Sequence, residues 1–330
     1  MRRAGFTLIE MMTVVAIFGL VAVYVGRILT VNERAYHTVE NTSESQQNLR
    51  VFGELIEDDV RHAGMMVSRN SGVCGRDFTN APDVLYVSDA AAIDPQDDAT
   101  PYAGASITAP AGTTNLTAGS SVTLTLSSLI VETTAPSRPA YDLDNNGSAD
   151  SDFRLNGGVI VYDSATPGRG NACGRITAIN VGTKQVTVLG AAAMTAGAGT
   201  TLVVVPANEY RLNGTQLLWN NIALADGIED FQVAYVFDID GDNVIDGNTD
   251  KRGFGEAGQS NFTSSELAPN LMREVEIAVV SRTRMPDPTF TGRPQVLLNR
   301  VAGGVTGDNY RRRTFQTRVL LRNLTTRIES

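Results

Sequence analysis

The sequence predicts an α+β protein in which one long N-terminal helix packs its distal half on a mostly antiparallel β-sheet domain. Two observations predict it. Apolar residues recur at helical spacing up to Ala63. From residue 65 the pattern changes to short β-branched runs bounded by Gly, Asn, Asp or Pro.

The helix begins in an apolar block. Residues 6–26, FTLIEMMTVVAIFGLVAVYVG, carry Glu10 as their only charge, and about 20 such residues cross a bilayer. A secretory signal peptide would place a shorter apolar segment before a small-residue cleavage site. Here Arg2 and Arg3 come first, then Ala4 and Gly5, then the apolar run. Basic residues ahead of a span hold that end in the cytoplasm, so the chain beyond about residue 30 is expected outside. Residues 6–29 are therefore read as the membrane half of the helix and 30–64 as its outer half. In the outer half Leu49, Phe52, Leu55, Ile56, Val60 and Ala63 share a face, while Glu54, Glu57, Asp58 and Arg61 take the other. Gly64 is the expected stop. A helix from 6 to 63 would run about 90 Å at 1.5 Å per residue. Gly19 and Gly26 weaken it locally, by about 1 kcal/mol each relative to Ala.

The remaining residues, 65–330, read as one β-rich globular domain. Strands are expected at 84–88, 122–126, 158–163, 175–179, 185–189, 201–205, 210–212, 216–219, 230–237, 273–284 and 314–322. Residues 89–121 are rich in Ala, Thr, Gly, Ser and Pro without periodicity, and read as a mobile surface insertion.

Composition narrows the function. Acidic residues outnumber basic ones 36 to 27, a net charge of −9, which argues against nucleic acid as a partner because phosphate binding needs a basic field. The arginines at 311–313, 318, 322 and 327 do not reverse this. In the expected strand 314–322, Phe315, Thr317, Val319 and Leu321 share one face, and Arg318 and Arg322 lie on the other, a solvated or subunit-facing surface. The two histidines, His37 and His62, both fall in the helix. No GxSxG, Walker A or HExxH motif is present. Nothing in the sequence supports catalysis.

Three features could carry chemistry. Cys74 and Cys173 each sit beside glycine and form no CxxC pair, which argues against zinc or redox chemistry. In a domain outside the cytoplasm a disulfide between them is the natural reading, and two separate buried thiols are the alternative. Two aspartate-rich loops, DLDNNGSAD at 142–150 and DIDGDNVID at 238–246, place oxygen ligands at positions 1, 3, 5 and 9 of a calcium loop. The residues are Asp142, Asp144, Asn146 and Asp150, and Asp238, Asp240, Asp242 and Asp246, with Gly147 and Asn243 at the sharp-turn position. The bidentate acid of position 12 is replaced by Phe153 and Thr249, and Asp-Gly turns explain the same residues without metal.

The run Gly5-Phe6-Thr7-Leu8-Ile9-Glu10 resembles the cleavage and methylation motif of type IV prepilins residue for residue. Further along, PANEYRL at 206–212, NGTQLLW at 213–219, DGIEDFQVAY at 226–235 with the Asp-rich loop, and RTFQTRVLLRNL at 313–324 look like the minor pilins called PilW. The stalk segment 55–64, LIEDDVRHAG, is similar too. The resemblance implies a type IV pilin-like fold and a leader peptide at 1–5. A prepilin peptidase would cut between Gly5 and Phe6 and methylate Phe6. Glu10, fifth in the mature chain, would meet the terminal ammonium of a neighbouring subunit. A carboxylate costs about 2.5–3.5 kcal/mol at mid-bilayer and is retained for a partner.

It also implies an inner-membrane protein with its C-terminal domain in the periplasm, later carried into a pilus or to the cell surface. Expected partners are the membrane, major and minor pilins, the peptidase and the inner-membrane assembly platform. The function implied is that of a minor pilin that helps start a pilus or form its tip. The alternatives are a minor pseudopilin of type II secretion and a tip-displayed adhesin or DNA-uptake module using 89–121. The mature chain is thus expected to lack Met1 to Gly5 and to begin with a methylated Phe6. Intact-mass and N-terminal peptide spectrometry would show this, and a mature chain retaining its first five residues would sink it.

Overall fold

The computed structural model describes residues 7–65, 67–88, 104–108, 114–130, 142, 146, 150–166, 170–192, 194–196, 199–242, 244–245, 251–253, 269–300 and 307–325. The predicted α+β fold is what forms: a long N-terminal apolar helix packed on antiparallel β-sheet.

Helix α1 (Leu8–His62) runs 55 residues without interruption. Ala63 caps it, and Gly64 turns the chain at φ +78°, donating its N–H to the Ser88 carbonyl. Glycine is required there on two counts. The left-handed backbone disfavours side chains, and a Cβ would lie 2.3 Å from Leu324 Cδ2.

The strands follow as β1 (Val73–Arg76), β2 (Val84–Val87), β3 (Ala105–Thr108), β4 (Thr114–Leu116) and β5 (Ser121–Thr125). Next come β6 (Gly158–Tyr162), β7 (Asn171–Asn180), β8 (Gln185–Ala192), β9 (Met194–Ala196) and β10 (Thr201–Asn213). The chain continues through β11 (Gln216–Trp219), β12 (Ile222–Ala225), β13 (Ile228–Phe237), β14 (Lys251–Gly253), β15 (Met272–Arg282) and β16 (Arg312–Leu320), and a short helix α2 (Arg322–Thr325) follows. The larger sheet runs β1-β2-β10-β6-β7-β8-β5, with β3 and β11 also on β10 and β12 on β11. A second sheet runs β14-β13-β15-β16, and β4 pairs with β9.

Two expectations need correction. The runs 201–205 and 210–212 are one strand, β10, not two. Pro206 misled the reading because proline cannot donate to a ladder. It is tolerated because residues 205–207 pair with β6 on one side and, among the described residues, with no strand on the other, the β3 pairing ending at Val204 and the β2 pairing beginning at Asn208. The second correction concerns 89–121, read as an insertion lying on the surface. Within it, β3 pairs with β10 and buries Ala105 and Ile107, and β4 pairs with β9. Residues 89–103 and 109–113 lie outside the described residues.

The main core lies between α1 and the sheets. Leu49, Phe52, Ile56 and Val60 are buried against Phe231, Val233, Val275, Ile277 and Val319 from the second sheet and Leu85 and Tyr210 from the first. Phe52 meets Phe231 edge to face at 6.2 Å, a geometry that aromatic quadrupoles favour. Beside it the Phe315 ring occupies the space over Gly53, where a Cβ would lie 2.5 Å from ring carbon. Ser45 and Ser281 share a hydrogen bond of 2.7 Å, and Asn323 donates to the His62 carbonyl at 3.2 Å.

A second core fills the space around β3, β5, β6, β7, β8, β9 and β10 and includes Phe153. Between the two, Cys74 of β1 and Cys173 of β7 have their sulfurs joined, with Cα atoms 6.1 Å apart. Both are buried beside Tyr86 and Ile160. Replacing both cysteines with Ala should lower domain stability by up to about 4–5 kcal/mol, the loop-entropy value for a closure near 100 residues. Thiol labelling of the unfolded native protein should find no free cysteine. Two labelled thiols in protein exported from the cytoplasm would refute the pairing.

Candidate functional site

The first turn of α1 is built by a short sequence signal, Thr7 and Glu10 at a spacing of three. Thr7 and Glu10 form a capping box, the S/T-x-x-E pattern in which each residue serves an otherwise orphaned backbone N–H of the other. Glu10 Oε2 accepts from the Thr7 N–H and the Thr7 hydroxyl, both at 2.9 Å, and the Glu10 N–H donates to Thr7 Oγ1 at 3.4 Å. The carboxylate is thus fixed at the helix N-terminus, where the macrodipole favours an anion. Gly5 and Phe6 lie outside the described residues.

Beyond this turn the apolar block is bare. Leu8, Ile9, Phe18 (73% exposed), Leu20, Tyr24 and Leu29 all face outward, and residues 7–30 are exposed throughout. The helix is long and apolar enough to cross a membrane.

The outer half is fastened by a polar latch as well as by its apolar face. Asp59 accepts from Tyr210 Oη at 2.5 Å and Asn208 Nδ2 at 3.1 Å. Burial pushes the Asp59 carboxyl up from the usual range, and these two hydrogen bonds pull it back.

The arginines near the C-terminus divide between surface and interior. Arg318 is half exposed and reaches Glu274 and Glu276 at 3.5 and 3.6 Å. Phe315 packs on the core and Val319 is buried, as the face assignment expects. Arg312 is a correction: its side chain is 3% exposed and is held by Glu229 and by Asp308 at 2.6 Å. The Arg312 hydrogen bonds hold the Asp308 carboxyl down at about 2.

Of the two calcium-type loops, one gathers its carboxylates. Asp238, Asp240 and Asp242 bring ligand oxygens within 4.8 Å of one another, the only such His, Cys, Asp or Glu group among the described residues. Asp238 is buried and already engaged: Arg273 Nε donates to it at 3.0 Å and the Gly241 N–H at 2.7 Å. Asp242 accepts from the Val244 N–H at 2.7 Å, and Asp240 from the Asp242 N–H at 3.3 Å. Asp246 lies outside the described residues. In the other loop Asp142 accepts from the Asn146 N–H at 3.0 Å, Asp150 is half-buried, and Asp144 lies outside. The side chains that could hold a cation are therefore Asp240 and Asp242, with the Arg273 guanidinium competing for Asp238.

Residues 1–25 match the prokaryotic N-terminal methylation motif. With the long apolar helix on antiparallel sheet, this makes the chain a type IV pilin-like protein. Residues 194–323 match the family described as type IV pilus-assembly protein W. The chain is accordingly PilW-like over that stretch, which holds most of the motifs quoted for the resemblance; the stalk segment 55–64 falls in neither match. Among solved structures, a type IV-like pilin from Thermus thermophilus is similar at 16% identity, over 52% of this chain and 86% of that one, with a TM-score of 0.23. No curated protein matches the sequence.

The Arg273 contact yields a test. Because a guanidinium already neutralises Asp238, the melting temperature should be the same in EDTA and in excess Ca²⁺. Arg273→Gln should destabilise the domain by about 3–5 kcal/mol, the cost of breaking a buried ion pair at one partner. A melting temperature that rises with Ca²⁺ and loses the rise in Asp240→Ala would make the loop a calcium site instead.

Proposed function

We propose that this chain is a minor pilin that enters a type IV pilus through α1 and acts in starting the filament or forming its tip. The observation that carries this is the division of α1. Its outer half is bound into the domain, while its first half is apolar, bare and headed by a fixed carboxylate. Such a segment is stable in a bilayer or in a bundle of like helices, and transfer between the two needs no unfolding of the domain.

Glu10 supports the same reading. Thr7 engages Oε2, so Oε1 is the oxygen that would accept from the terminal ammonium of a neighbour. The capping box would then set the carboxylate's direction before any neighbour arrives, and pairing would order two subunits along the axis. Size argues for the end of the filament. About 265 residues follow the helix, and a body that large crowds a shaft in which every subunit repeats. The partners in this reading are other pilins, the prepilin peptidase and the assembly platform, with the domain in the periplasm before assembly. No catalytic role enters it.

Deleting the gene should cut the number of surface pili while the major pilin persists in the inner membrane. Glu10→Ala should lower incorporation with the melting temperature of the domain unchanged, since the two are far apart along α1. Electron microscopy of pili with fractionated immunoblots measures both. Normal pili with lost exoprotein secretion would favour the pseudopilin, and normal pili with lost adhesion or DNA uptake the displayed module.

A further inference from the structure

Just beyond the apolar block, α1 and the loop after β15 enclose a cleft of about 620 Å³. Val31, Arg34, Ala35 and Thr38 form the helix wall, one face by their spacing of three and four. Met285, Pro286 and Pro288 stand in the other wall, with Thr283, Asp287, Thr289 and Arg311. Met285 is 60% exposed, and both prolines are exposed too. An unbranched apolar side chain and two prolines turned to solvent contribute nothing to the domain's own core.

The height of this cleft along α1 decides what fills it. Val31 and Ala35 stand two and six residues past Leu29, about 3–9 Å along the axis at 1.5 Å per residue. The headgroup layer on each side of a bilayer is about 5–8 Å thick, the difference between its full and hydrocarbon thickness shared over two faces. With residues 8–29 in the membrane, the loop is level with the headgroups.

It is also held there. Ser281 is tied to α1 at Ser45. The Thr283 N–H donates to the Arg311 carbonyl at 2.9 Å and the Asp287 N–H to the Asn309 carbonyl at 2.7 Å. Arg311 donates to Asp287 and lies over the Phe290 ring at 4.5 Å. The loop cannot swing clear of the membrane without breaking these contacts.

Charge at the cleft departs from the acidic whole. Arg34 lines it and is exposed, whereas Arg284, one residue before Met285, lines the neighbouring cavity with Glu44 and Asp226. Within the cleft the acid Asp287 is already spent on Arg311.

We propose that the 283–290 loop is a membrane-contact element that inserts beside α1 into the outer headgroup layer, a phospholipid of the surrounding bilayer filling the cleft. The acyl and glycerol portions lie against Met285 and the prolines, and the phosphate meets Arg34. This rests on α1 being the membrane anchor. Interfacial apolar groups of this kind bury about 5–10 Å into the headgroup boundary. The contact fixes the domain on the membrane surface before assembly, and it must be released when the subunit leaves the lipid.

The test uses the full chain, reconstituted at low protein-to-lipid ratio in phosphatidylethanolamine and phosphatidylglycerol vesicles, with acyl chains brominated near the glycerol as quencher. The native Trp219 is the internal reference. It pairs with Tyr210, which binds Asp59, about 45 Å along α1 from Leu29. Its emission should not change on bromination. Met285→Trp should add emission of which roughly half is lost on bromination, and Tyr24→Trp, inside the span, should be quenched as a positive control. Adding Arg34→Glu to Met285→Trp should restore much of the lost emission. An unquenched indole at 285 beside a quenched one at 24 overturns the proposal and leaves the anchor intact. A blue-shifted but unquenched indole at 285 overturns it in favour of a second copy of the chain over the cleft. No quenching at either position removes the anchor itself, and the proposal with it.

Discussion

One helix must satisfy two media, and the rest of the structure is arranged around that constraint. Over residues 8–30 α1 is exposed throughout, so only an apolar surrounding satisfies it. Over its second half Leu49, Phe52, Ile56 and Val60 are buried, and full burial of such side chains is worth about 1.5–3 kcal/mol each. Four of them give about 6–12 kcal/mol, an upper estimate since part of that area is buried in the unfolded chain. That range equals the whole stability of an ordinary domain, about 5–15 kcal/mol. The helix therefore cannot leave the domain while the domain stays folded. Anchor and domain move as one body.

The sheets are shaped to receive this helix. Gly53 lets the Phe315 ring approach the helix backbone. The Asp59 latch then reaches across to Asn208 and Tyr210 on the other sheet, so α1 bridges the two. Arg312, held inside by Glu229 and Asp308, pins the start of β16 to the base of β13 within the second sheet. A buried ion pair of this kind adds little net stability, yet breaking it leaves an unpaired charge. Its contribution is to fix register.

Much of this was legible in the residues. The α1 period from Leu49 to Val60 and the alternation of Phe315, Thr317 and Val319 each report burial on one face, which is a local signal. What was not legible depended on partners distant in sequence. Pro206 reads as a break until β6 is seen to be the only strand that pairs with residues 205–207 among the described residues. The β3 strand lacks a strong pattern of its own and exists because β10 pairs with it. The interior position of Arg312 needed Glu229, 83 residues away. The Thr7 and Glu10 capping box is different: it was readable from spacing alone, and attention to Glu10 as a charge in a membrane hid its role as a cap. The Asp-rich loops show the limit of spacing, since the counter-charge for Asp238 comes from Arg273 on another strand.

The bond between Cys74 and Cys173 has a mechanical meaning when the subunit is pulled by its helix. Tension leaving α1 enters β1 within a dozen residues and meets the bridge at Cys74. There the covalent path jumps to β7, across a sequence separation of 99. Residues 75–172, including β2, β3, β5 and β6, lie on a side loop that carries no load through the backbone. Pulled between α1 and its C-terminal strands, such a subunit would carry covalent load up to Cys74 and again from Cys173 onward, while 75–172 stays slack.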